Sequence, residues 1–165
     1  RPFYFMALLT LVSDVVNIST DVQQENVSYS KRAGWNSQAI MNRSSAILTY
    51  SSSEAMTFTF SFAMYAINDT SEIAEASHVI KGLVYPMEPG TIPPTICYLT
   101  YPSGRFDNWM CVCSSVDVSH PTPIYSNSEE TFHAVFTVSL IEVDLDNIPA
   151  TQFSGSINNA SSKYR

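Results

Sequence analysis

Apolar and polar residues alternate most cleanly over residues 57–67, TFTFSFAMYAI. Successive strand side chains point to opposite faces. Phe58, Phe60, Phe62 and Met64 therefore share one side, and Thr57, Thr59, Ser61 and Ala63 the other. A strand with one face in a core is predicted. The same period returns over 132–143, where Phe132, Ala134, Phe136, Val138 and Leu140 share a side. His133, Thr137 and Ser139 take the other, and Glu142 falls in the apolar register near the end. Residues 108–118 predict a third strand, with Met110, Val112, Val116 and Val118 on one side. Shorter strands are predicted over 46–50 and 95–101, with turns at Ser51-Ser52-Ser53-Glu54 and Pro102-Ser103-Gly104.

Between 70 and 83 the period changes. Ile73, Ala76, Ile80 and Leu83 recur at the spacing of an amphipathic helix. Asp69 and Glu72 have capping-box spacing, Lys81 lies near the far end, and Gly82 and Pro86 stop the helix. Prolines 86, 89, 93 and 94 stiffen the connector that follows.

The ends are less regular. Residues 2–12 are apolar but shorter than the ~20 residues a bilayer span needs. No small-x-small cleavage site follows them, so a buried or partner-docking segment is expected, without a membrane anchor. Residues 13–43 show no sustained period and are expected to form a loop or extended arm. The Asn- and Ser-rich tail is expected to be a loose arm. The pattern divides into an N-terminal arm over 1–41, a β domain over 42–145 and a C-terminal arm over 146–165. The class is mainly β (α+β): a small antiparallel barrel or sandwich with one flanking helix and extended terminal arms.

Composition changes this picture in one respect. Of 165 residues, 45% are hydrophobic and only 14% charged. That is below the usual ~25% for soluble domains, and burial in an assembly is one answer. The net charge is −7 with eight scattered Lys and Arg. This excludes a surface that grips nucleic acid through phosphates, which needs clustered cations. An acidic surface suits a wall that DNA passes without sticking.

Candidate chemistry is sparse. The chain has five glycines and no phosphate-binding loop, zinc-protease motif or nucleophile elbow. His78, His120 and His133 share no motif. Cys97, Cys111 and Cys113 are too few and odd in number for a disulfide framework. Cys111 and Cys113 share a strand face and are expected to be buried thiols, with no second pair of ligands to complete a metal site. Glu129-Glu130 and Asp144/Asp146 border predicted loops, where solvated charges are the expectation. Asn17, Asn26, Asn42, Asn68 and Asn159 match the N-x-S/T pattern, which chance supplies in an Asn-, Ser- and Thr-rich chain. No catalytic residue, metal or cofactor is expected, and the chain is expected not to be an enzyme.

One constellation is more specific. Asn42-Arg43-Ser44-Ser45-Ala46-Ile47-Leu48-Thr49-Tyr50 precedes the 57–67 strand and the helix. Then come Leu83-Val84-Tyr85-Pro86, Ile92-Pro93-Pro94 and Ser114-Ser115-Val116-Asp117-Val118. The run ends on Ala134-Val135-Phe136-Thr137-Val138-Ser139-Leu140-Ile141-Glu142-Val143. In this order it resembles the tail-tube-fold proteins that start the tube at the baseplate of contractile bacteriophage tails, the tube initiators and hub rings. The resemblance covers roughly residues 42–144; the 119–130 loop and the N-terminal arm have no counterpart.

The resemblance implies a structural virion protein of the phage tail baseplate, made in the bacterial cytoplasm. Copies would form a homo-oligomeric ring, expected to be a hexamer, that links the central hub and spike to the tail tube. Sheets of neighbouring copies would join round a lumen through which DNA passes without specific binding during genome ejection and host cell penetration. The partners implied are the adjacent tail-tube and hub proteins. Thr57, Thr59, Ser61, Thr137 and Ser139 would be channel-facing. Phe58, Phe60, Phe62, Ile73, Ile80, Phe136, Val138 and Leu140 would fill the subunit core. The alternative is a secreted or surface β-sandwich that binds carbohydrate or a receptor, which Trp35, Trp109 and nine tyrosines permit. A tail-associated lysozyme or peptidoglycan-binding protein is a third reading, without a recognisable acid/base pair.

Overall fold

The computed structural model describes residues 6–23, 26–42, 44–66, 71–104, 106–121 and 133–143. The strands are β1 (Met6–Ser13), β2 (Asn17–Gln23), β3 (Val27–Ser30), β4 (Ala33–Gln38), β5 (Ile47–Ser53) and β6 (Thr57–Tyr65). Helix α1 (Ser71–Lys81) follows, then β7 (Ile96–Tyr101), β8 (Phe106–Ser119) and β9 (His133–Glu142). Seven strands form one antiparallel sheet in the order β2-β1-β7-β8-β9-β6-β3, and β4 and β5 form a separate two-stranded hairpin. The mainly β, α+β class is as expected.

The N-terminal part corrects the sequence reading. Residues 13–43, expected as a loop or arm, hold β2, β3 and β4, and the main sheet runs across the boundary expected at 41/42. In β1, Leu9 and Leu11 are fully buried, while Leu8 and Val12 on the opposite face are exposed and apolar as well. That hides the alternation. Ser13 makes the turn into β2: its Oγ accepts from the amides of Val15 (3.3 Å) and Val16 (2.9 Å) and donates to the Val16 carbonyl (2.7 Å). A serine hydroxyl bonded to nearby backbone stabilises such turns. Ser51, Ser52 and Ser53, expected as a turn, continue β5.

β6 and β9 pair over nine residues and supply the centre of the core. Phe58, Phe60, Phe136, Val138 and Leu140 are fully buried. Ile73 and Ile80 bring the inner stripe of α1 onto them. Phe62 is partly buried and stacks on Phe136, ring centroids 5.3 Å apart. The expected core residues thus all lie in or against the core, and each buried aliphatic or aromatic side chain contributes about 1.5–3 kcal/mol. Phe132 lies outside the described residues, as does the Asp69 end of the expected capping box. The helix stops at Lys81; a Cβ on Gly82 would sit 2.9 Å from the Val79 carbonyl oxygen. Leu83 then turns back into the core.

β8 carries the second correction. Its register shifts between Cys113, opposite Leu140, and Ser115, opposite Ser139, leaving Ser114 as the extra residue of a bulge. Cys111 and Cys113 face inward before the bulge; Val116 and Val118 pack on the core after it. Met110 and Val112 therefore face outward rather than sharing a side with Val116 and Val118 as expected.

Candidate assembly surface

Across β3, β6, β9 and the far half of β8, the outward face of the sheet is a band of small hydroxyls. Thr57, Thr59 and Ser61 on β6 lie beside Ile141, Ser139 and Thr137 on β9. Thr59 Oγ1 and Ser139 Oγ are 3.2 Å apart, and Ser61 Oγ and Thr137 Oγ1 are 2.9 Å apart. Ser30 on β3 extends the row to Thr57 at 3.0 Å, and Ser115 and Asp117 on β8 extend it past Ser139 and Thr137. The structure thus brings all five residues expected to be channel-facing onto one face and joins four of them to one another in hydroxyl pairs, with Thr57 paired to Ser30. Each such cross-strand pair contributes about 0.2–1 kcal/mol. No lysine or arginine occurs in any of the nine described strands.

The sheet curls so that β2 comes against β6, leaving a seam that is open among the described residues. β2 pairs only with β1 among the described strands. β3 has four residues and covers Thr57–Phe60, so residues 61–65 of β6 pair with β9 alone. A cleft of about 360 Å³ lies in the seam, lined by Ile18 and Thr20 of β2, Phe62 and Met64 of β6, and Ala76, Val79 and Ile80 of α1. Free strand edges template pairing with another chain, and proteins blunt them with lysine, proline or a covering segment. Neither β2 nor residues 61–65 contains lysine or proline.

The hairpin β4–β5 was not legible as such. The pattern over 46–50 predicts a strand but gives no partner for it. Asn42 at the tip has φ 67°, a conformation asparagine tolerates, and was the available signal for a hairpin turn. The hairpin base is anchored by Glu142. Its Oε2 accepts from Lys31 Nζ (2.8 Å) and from the Met56 amide (3.0 Å), and its own amide donates to the Met56 carbonyl (2.9 Å). Partial burial by itself raises the Glu142 pKa. Hydrogen bonds from Lys31, Met56 and Trp109, with the Lys31 charge, outweigh it and hold the carboxyl below its ordinary value.

A carboxylate with a lowered folded pKa stabilises the fold above its unfolded pKa, and loses that contribution as pH falls through the folded value. Glu142→Ala also leaves the Met56 amide without its partner. It is expected to cost about 1–3 kcal/mol at pH 7. The difference from wild type should shrink below about pH 4, the ordinary carboxylate range. Urea titrations at pH 7 and pH 3.5 check this; an unchanged difference at the two pH values would contradict the role.

The remaining titratable groups form no second site among the described residues. Cys97 and Cys111 are cross-strand partners, and all three thiols are free and buried. Burial pushes Cys97 up to about 11 and Cys113 up to about 12, and raises Cys111 further, which suppresses the thiolate form needed for nucleophilic or ligand chemistry. No group of three or more His, Cys, Asp or Glu among the described residues could hold a metal ion. His78 and His120 are exposed on α1 and after β8; His133 stacks on Tyr65 at 4.3 Å. Glu129, Glu130, Asp144 and Asp146 lie outside the described residues. No described helix is long and apolar enough to cross a membrane.

No protein-family model matches the chain, and no curated protein matches it. Among solved structures, it is similar to a chain of the cryo-EM structure of the anti-feeding prophage (AFP) baseplate, 6-fold symmetrised. The TM-score is 0.46 and the identity 7%, over 87% of this chain and 93% of that one. A likeness so distant carries no functional inference.

Proposed function

We propose that the chain is a structural subunit of a multi-copy ring in a phage-type tail baseplate. The sheets of neighbouring copies join edge to edge, and their hydroxyl faces line a DNA conduit between hub and tube. The observation that carries this is the open seam: β2 and residues 61–65 of β6, without lysine or proline, each with one edge unpaired among the described residues. Pairing β2 of one copy with the free part of β6 of the next satisfies both edges at once in a head-to-tail contact, which forms a ring when the rotation between copies closes. Thr57, Thr59, Ser61, Thr137 and Ser139 then present neutral hydroxyls, with Asp117 beside them and no lysine or arginine in any described strand. Such a wall lets polyphosphate pass without binding it. The resemblance of residues 42–144 to tube initiators and hub rings supports the same reading. The work is interface burial and lumen electrostatics, and the reading gives the chain no catalytic role.

The test is sedimentation velocity of the full chain over a range of concentrations, with electron microscopy of the fastest species. Rings with a central hole are expected. A monodisperse monomer at the highest concentration overturns the reading.

A further inference from the structure

We propose that Cys97 and Cys111 are a disulfide-forming pair that locks β7 to β8 in oxidising surroundings, with Cys113 left as a free thiol. The inference concerns the interior of one chain and stands whether or not rings form.

Register brings the two together. Cys97 on β7 lies directly opposite Cys111 on β8, and both side chains are fully buried. Directly opposite residues of an antiparallel pair have Cα atoms about 4.5–5.5 Å apart. A disulfide spans Cα distances of about 4.4–6.8 Å, so the backbone needs no rearrangement. The Cβ atoms of such a pair are about 4.5–5.5 Å apart and must close to about 4 Å, a shift of roughly 1 Å. No other pairing of the three thiols fits. Cys97 and Cys113 are diagonal neighbours, about 7–8 Å apart. Cys111 and Cys113 are two apart on one strand, about 6.8 Å at 3.4 Å per residue, and their side chains run parallel, so the Cβ atoms stay equally far apart.

The thiols are already turned to suit. Cys111 Sγ reaches across the pair and donates to the Cys97 carbonyl at 3.5 Å. Cys113 Sγ turns instead along its own strand and donates to the Ser115 carbonyl at 3.5 Å. Closing the bond gives up only two weak S–H donations, that of Cys111 and that of Cys97 to the Thr95 carbonyl at 3.8 Å, and leaves no buried donor behind.

The oxidant is a small disulfide of the glutathione class. One cysteine thiolate attacks it and expels a glutathione thiolate, giving a mixed disulfide. The second cysteine thiolate attacks that bond and expels the other glutathione. The two cysteine protons end on the two glutathione thiols, and the protein gives up two electrons. Burial closes this route in the folded chain, so the reaction runs during folding or when β7 opens from β8. The bond then closes a loop of about 15 residues, which constrains the unfolded chain. It is absent in a reducing cytosol and persists outside it.

The experiment refolds the full chain from urea at mildly alkaline pH in a mixture of oxidised and reduced glutathione. The product is alkylated under denaturing conditions and mapped by mass spectrometry. One alkylated cysteine, Cys113, and one linked pair, Cys97 with Cys111, are expected. The linked chain should melt about 5 °C or more above the same chain reduced with dithiothreitol. Cys113→Ala should form the same bond with the same shift, whereas Cys111→Ala should form no linked pair and show no shift on reduction. Three alkylated thiols, a mixture of pairings, or a linked chain that melts no higher than the reduced one overturns the proposal.

Discussion

Phe58→Ala is expected to cost about 3–5 kcal/mol of unfolding free energy, the range for emptying a buried aromatic site. The residue is fully buried at the meeting point of β6 with β3, β7 and β8. Its ring lies 4.9 Å from Phe106, 5.9 Å from Tyr101, and 6.1 Å from both Tyr29 and Trp109. These rings are held by strands far apart in sequence, so they cannot collapse into the cavity together. Against a typical total of about 5–15 kcal/mol, the loss takes a large share of stability. The midpoint of thermal unfolding should fall by roughly 10 °C, at 2–4 °C per kcal/mol for a chain of this size. The neighbouring change Thr59→Ala removes one hydroxyl pair on the outer face and is expected to cost under about 1 kcal/mol. Denaturant titrations of the two variants measure the contrast. Equal losses would mean the strand does not have one buried and one open face.

Insertion of an alanine between Ser115 and Val116 is the second large effect. Ser114 is the bulge residue that absorbs the extra position between inward Cys113 and inward Val116. One more residue after it puts the far half of β8 out of phase: Val116 and Val118 turn outward and Asp117 turns in opposite Phe136. A carboxylate in an apolar interior is costly enough that the strand must slip or the half-strand detach. A loss of about 3 kcal/mol or more is expected. Deletion of Ser114 removes the bulge but keeps Val116 and Val118 inward, because Cys113, Ser115 and Val116 then alternate regularly, and it loses the exposed bond from Ser114 Oγ to the Ser139 carbonyl at 3.0 Å. It should cost about 0.5–1.5 kcal/mol. Titrating both by circular dichroism measures the contrast; similar losses would mean that the phase of β8 does not decide its stability.

These two cases show what kind of pattern survives in a sequence. Strands β6 and β9 were legible because each has one face that is almost wholly apolar and one that carries hydroxyls, Thr57, Thr59 and Ser61 on β6 and Thr137 and Ser139 on β9. Helix α1 was legible because Ile73, Ala76 and Ile80 keep helical spacing. β1 was not, because Leu8 and Val12 are apolar on the open side and erase the alternation that Leu9 and Leu11 set up. β2 offers Ile18 and Val22 four residues apart with a threonine between, too few positions to establish a period. β8 misled because a bulge changes phase without changing composition: Met110, Val112, Val116 and Val118 share even numbers but not a face. The hydroxyl band was legible residue by residue, whereas its pairing across β3, β6, β9 and β8 required the register. The Lys31–Glu142 bond spans 111 positions and left no local trace.

By itself the sequence determined the class, the two central strands, the helix, the core aromatics and a face without cations. Each depends on a local period or on composition, and both are carried by neighbouring residues. Only the tertiary structure decided that the first strands belong to the main sheet, that β4 and β5 form a separate hairpin, and that β2 and part of β6 keep an unpaired edge among the described residues. Strand pairing joins distant segments through backbone groups that every residue carries alike. No spacing of side chains can specify which edge is left open.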